Sequence, residues 1–116
     1  MSMEFYGKNG NKINLNSCGR DLVGYVCALA GARLSPCDVF HRSSFPGLAP
    51  AMAYEGTADE AAADAAKIAA MSDHRIRDLM LIKNVCDCVR DADRLVEFAR
   101  EWQEFLSASG GYNSEE

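Results

Sequence analysis

The chain has 116 residues, enough for one hydrophobic core and too few for two. Its apolar share of 48% and charged share of 25% match ordinary globular usage, which excludes wholesale disorder. The formal net charge of −5 argues against nonspecific nucleic-acid binding, which needs a surplus of Lys and Arg on one face, but it suits a basic protein partner.

In chain order, residues 3–15 come first. Phe5, then Lys8-Asn9-Gly10-Asn11, then Ile13 and Leu15 predict a short two-stranded ribbon. Asn9-Gly10 is a favoured hairpin turn because both residues tolerate positive φ. Ser17 is the expected N-cap of a helix over about 20–34. Leu22, Val23, Val26, Cys27, Leu29 and Ala30 make it apolar around most of its circumference, as in a central buried helix. Ser35 caps a second, short helix over about 36–42, with Pro36 at its first position. Phe45-Pro46-Gly47 and Pro50 then punctuate a loop to about Gly56.

Thr57-Ala58-Asp59-Glu60 reads as a capping box opening an alanine-rich helix to about Met71. Alanine favours helix and permits close approach, although it buries little area. Ser72 or Asp73 caps the next helix. Leu81, Val85, Cys88, Ala92, Leu95, Ala99, Trp102 and Leu106 alternate spacings of four and three, the 3.5-residue period of a helix seam. Ile82, Val89 and Val96 widen that seam. A continuous helix over 73–107 would be about 50 Å long, so one end is expected to overhang the core. Gly110-Gly111 ends it, leaving 110–116 as a flexible tail beyond a single domain of residues 1–109. The fold class expected is mainly α, a small α+β domain: an N-terminal β-hairpin followed by four helices, the last long and amphipathic.

No apolar run approaches the ~20 residues that span a bilayer. The first six residues also lack the basic start and apolar stretch of a secretory signal, so a cytoplasmic protein without a membrane segment is expected. Five cysteines, an odd number with Cys86 and Cys88 inside a helical pattern, read as free thiols rather than a disulfide framework.

Three groups of residues carry candidate chemistry. Cys18 stands at a predicted helix N-terminus, where backbone amides stabilise a thiolate. With His41 or His74 as base, it would make a cysteine-dependent hydrolase. The stretch from Ser17 to Val26 loosely resembles the nucleophile helix of NlpC-type cell-wall cysteine peptidases, which reads roughly Asp-Cys-Ser-Gly-Leu-Val-x-Tyr-Val. Here Cys18 is four residues from Leu22 rather than three. The family's histidine, on a strand of a following sheet, has no counterpart in what reads as helix, so no family role is carried over. Cys37 and His41, four apart, share a helix face and would give half of a zinc site. Two further ligands would have to come from His74, Cys86 and Cys88, none of which forms a second spaced pair. The carboxylates and arginines alternate at helical spacings and read as a solvated face.

The third group is aromatic. Phe98 and Phe105 lie seven apart on a flank about 100° from the main seam, with Trp102 between them. Two fates fit this flank: cover by the hairpin or another helix, or exposure as a binding patch. The reading favoured is a small noncatalytic interaction domain that uses no cofactor and no metal. It would be an adaptor or inhibitor of a larger macromolecule, binding a protein partner or a second copy through Phe98, Trp102 and Phe105. Small phage and mobile-element accessory proteins, including inhibitors of host defence systems, have this size and charge.

Overall fold

A computed structural model describes residues 3–33, 55–81 and 91–115 of the chain. The predicted ribbon is present as β1 (Met3–Gly7) and β2 (Lys12–Leu15), antiparallel with Phe5 opposite Ile13 and Met3 opposite Leu15. Its tip differs from a two-residue Asn-Gly turn. The Gly10 N–H donates to the Gly7 carbonyl at 3.0 Å and the Gly7 N–H to the Asn11 carbonyl at 2.8 Å. Only Gly10 takes positive φ, at 94°, which makes a three-residue loop ending in a left-handed glycine.

The first helix, α1 (Ser17–Ala30), is capped by Asn16 rather than Ser17, the Asn16 side chain accepting from the Gly19 N–H. Leu22, Val23, Gly24, Tyr25, Val26 and Cys27 are all buried, as a helix apolar all round requires. It ends short of residue 34 because Gly31 turns left-handed and the Ala32 N–H bonds back to the Cys27 carbonyl. The predicted helix over 36–42 and the loop after it fall outside the described residues, apart from the short strand β3 (Gly56–Thr57). The capping box forms as read. Glu60 N–H donates to Thr57 Oγ1, and Thr57 N–H to Glu60 Oε1, opening α2 (Ala58–Ala69). Its inner face is Ala61, Asp64, Ala65 and Ile68, small enough to lie close to its neighbours.

Ser72 caps α3 (Asp73–Arg77), which tightens into a 3-10 turn at Asp78–Leu81. The long helix, α4 (Ala92–Ser109), starts afresh at Asp91, whose extended backbone and side-chain bond to the Asp93 N–H form its cap. A continuous helix over 73–107 is therefore ruled out. Leu81, expected at the head of the seam, is 85% exposed, and residues 82–90 lie outside the described residues. Along α4 the seam holds: Leu95, Ala99, Trp102 and Leu106 are buried, with Val96 half-buried beside them. At 18 residues the helix is about 27 Å long, matching a body of 36 × 28 × 25 Å instead of overhanging it.

The largest departure concerns the expected tail. Gly110 ends α4, and the chain continues as β4 (Gly111–Glu115), a central strand of the sheet. The strand order is β2-β1-β4-β3, antiparallel throughout, with Tyr6 opposite Asn113 and Gly56 opposite Tyr112. Phe5, Leu15 and Tyr112 point inward from this sheet, while Glu4, Tyr6, Lys12, Asn14, Asn113 and Glu115 form its polar outer face. Phe5, Trp102, Phe105 and Tyr112 make one aromatic cluster, the Trp102 ring 4.9 Å from Phe5, 5.4 Å from Phe105 and 5.9 Å from Tyr112. Most of these pairs meet edge to face, the arrangement favoured by the ring quadrupole. Among the described residues no helix is long and apolar enough to cross a membrane.

Removing residues 111–116 should abolish cooperative thermal unfolding, because Tyr112 and the pairings of β4 with β1 and with β3 leave with the strand. A melting temperature that does not move on truncation would restore the tail. Leu95→Ala on the α4 seam should cost about 2–5 kcal/mol in urea denaturation.

Candidate functional site

Two of the three aromatic residues expected to bind a partner belong to the core. Trp102 is 1% and Phe105 5% exposed, because the N-terminal hairpin brings Phe5, and β4 brings Tyr112, against that flank. They cannot form an exposed patch. Phe98 is half-buried at the margin, packed toward Gly19 of α1 and capped by the Arg94 guanidinium 4.5 Å above its ring. The part of the seam on α4 is covered by the chain's own elements.

Of the residues considered for catalysis or metal, only His74 has its side chain among those described. Cys18 occupies the first turn of α1, and its side chain lies outside those described, as do Cys37, His41, Cys86 and Cys88. His74 is exposed on α3, 3.8 Å from Asp78. Among the described residues no three His, Cys, Asp or Glu side chains are grouped to hold a metal ion.

The buried polar chemistry lies elsewhere, around Arg33. Just beyond α1, its Nε donates to Asp64 Oδ2 at 3.0 Å, its backbone N–H to Asp64 Oδ1 at 3.2 Å, and its Nη1 to Glu60 Oε2 at 3.1 Å. Nη1 also reaches the Glu55 carbonyl at 3.3 Å, and Nη2 the Tyr112 hydroxyl at 3.5 Å. Asp64 is 5% exposed at its side chain, so a carboxylate there requires this partner. Burial pushes the Tyr112 phenol well above its ordinary value, keeping it neutral. The Thr57 backbone N–H, and then Arg33, hold the Glu60 carboxyl below its ordinary value. The stabilisation this implies is present above the ordinary value of 4.5 and is lost as pH falls through the lowered one. Beside the cluster, Lys8, Glu55, Thr57, Glu60, Tyr112 and Asn113 line an open groove of 240 Å³. Arg33 ties α1, α2, β3 and β4 together, a structural role that no local pattern announces, since Arg33 and Asp64 are 31 residues apart.

A second groove, of 380 Å³, runs between β2 and α4. Ile13, Phe105 and Ala108 make its apolar part; Asn11 and Lys12 stand on the hairpin side, Glu101 and Glu104 on the helix side. The bases nearest to these two carboxylates along α4 are committed elsewhere. Arg94 bonds Glu97 at 2.6 Å. Arg100, one turn before Glu104, turns away to Asp73 Oδ1 and the Met71 carbonyl, both at 2.7 Å, and to the Ile68 carbonyl at 3.2 Å. Among the described residues, neither Glu101 nor Glu104 forms a direct ion pair, and Arg94 acts on Glu101 only through space. The sequence places both on a solvated face. Their isolation depends on where Arg100 goes, which only the packing of α2 and α3 on α4 reveals. Compared with known proteins, the chain matches no family model, no curated protein and no solved structure.

Arg33→Met should lower stability by about 3 kcal/mol, because it strands Asp64 in the interior. Adding Asp64→Leu should recover most of the loss in the same urea titration. A single-variant loss under about 1 kcal/mol would instead mark the contact as a surface pair.

Proposed function

We propose that this protein is a noncatalytic interaction domain, an adaptor or inhibitor that binds a basic protein partner through the acidic flank of α4. The observation that carries this reading is the pair Glu101 and Glu104, exposed beside an apolar-floored groove with neither carboxylate in a direct ion pair. Carboxylates that serve the fold here have partners: Asp64 has Arg33, Asp73 has Arg100, and Asp93 has Arg77. Glu101 and Glu104 stand together on the groove outside any direct ion pair and, on a chain of net charge −5, provide a surface potential that attracts and orients a cationic partner. The accessory-protein role suggested by size and charge falls within this reading.

The partner moves from the aromatic residues to the carboxylates next to them. Phe105, 5% exposed, is the one of the three that lines the groove, and Trp102 stacks against its ring at 5.4 Å.

Cross-linking in the native cells, followed by reconstitution with the purified candidate, tests the proposal. A stoichiometric complex should form, should weaken steeply as ionic strength rises, and should survive Cys18→Ala. A chain that associates with nothing in the cell, or a complex insensitive to salt, would defeat it. Loss of function confined to Cys18→Ala would favour the cysteine-dependent hydrolase instead.

A further inference from the structure

Resting on that reading, we infer that the groove between β2 and α4 receives an extended, basic segment of the partner, added to the sheet as a fifth strand beside β2. Three independent features lead there. β2 is a sheet edge: it pairs with β1 on one side and, among the described residues, with no strand on the other. An open edge offers backbone donors and acceptors that an incoming strand satisfies. The groove lies along that edge, with Ile13 of β2 and Phe105 and Ala108 of α4 giving it an apolar floor. Its far wall carries the exposed carboxylates Glu101 and Glu104, neither of which is held in a direct ion pair.

The chemistry of the occupant follows from the spacing. Side chains on one face of a strand recur every second residue, about 6.6 Å apart. Glu101 and Glu104, at i and i+3 on a helix, are separated by about 5–6 Å at Cβ. Lysine or arginine at alternate positions of the added strand therefore meets one carboxylate each. Their aliphatic stems lie over Phe105 and Ala108, and their charged ends reach the helix wall. A strand in this position turns its inward side chains to the same side as Ile13 and Leu15, where α4 lies. Lys12 at the hairpin rim repels a further cation there, which limits the basic positions facing the groove to the stretch opposite Glu101 and Glu104. A partner helix would leave the edge of β2 unpaired, and nucleic acid would be repelled by both carboxylates.

The test is a titration of isotope-labelled full-length protein with a blocked peptide of alternating lysine and threonine, followed by NMR. Two control peptides accompany it: a glutamate–threonine counterpart, and a lysine–threonine version N-methylated at alternate amides. Saturable shifts should appear at Lys12–Leu15 and along 101–108 of α4, with neither control binding. Glu101→Gln combined with Glu104→Gln should raise the dissociation constant about fivefold at unchanged melting temperature. Equal binding of the N-methylated peptide, shifts centred elsewhere, an unaffected double variant, or no saturable shift would each overturn strand addition at this groove. The two proposals fail separately. A cellular complex that forms and ignores the double variant leaves the interaction reading standing without this groove. No cellular complex at all removes the reading itself.

Discussion

The last turn of any α-helix presents carbonyls that no residue of the helix can satisfy. Here the tip of the N-terminal hairpin satisfies two of them. Asn9 donates its backbone N–H to the Ser109 carbonyl and its side-chain amide to that of Ala108, while the Asn11 amide reaches Phe105. The Lys8 N–H continues the pattern onto Gly111, where the helix has already become a strand. This contact between the two ends of the chain fixes the rest. It seats β1 beside β4, brings Phe5 over Trp102 and Tyr112 under the same ring, and sets the register in which β3 joins. It also explains Gly7, where a Cβ would lie 1.8 Å from Asn11 Oδ1 and 3.0 Å from Ser109 Cα.

Around that junction two arginines act as stitches of a kind that differs from surface ion pairing. Arg33 holds the exit of α1 against α2 and the sheet. Arg100 caps the turn between α2 and α3, binding two carbonyls and Asp73 at once. A planar guanidinium with five donors can satisfy several acceptors in fixed directions, which a lysine cannot. By directing Arg100 inward, the fold leaves Glu104 without its nearest counter-charge. The acidic character of the groove is thus a by-product of how the helices are joined.

Local chemistry in the sequence was enough for the hairpin, the burial of α1, the Thr57–Glu60 box and the seam of α4, since each depends on residues within a few positions. The strand β4 was not legible: Gly111-Tyr112-Asn113-Ser114-Glu115 has one large apolar residue and follows a glycine stop, so it reads as a tail. Its strand character comes from β1 and β3, over 50 residues away in sequence. Periodicity marks the aromatic flank as a stripe, because it tells which residues share a face, but never what covers it. Phe5 and Tyr112 decide that, one from each end of the chain. The break before α4 was hidden because the seam's spacing runs through Asp91, which looks from sequence like one more solvated acid. The groove is not legible in the sequence, because half of it belongs to β2 and half to α4.

Strand order has a consequence for how the molecule is made. β4 lies between the first and the third strands, yet it is the final element of the described chain to be synthesised. Until it leaves the ribosome, the inner edges of β1 and β3 have no partner, and the Phe5–Trp102 edge-to-face pair lacks the Tyr112 ring. Helices α1 and α2 can form early from local contacts, but the sheet closes only through pairings at nearly maximal sequence separation, the slowest kind to find. A nascent chain with open edges beside an aromatic surface is a natural client for chaperones. The same closure that holds the finished domain together makes its birth all-or-none.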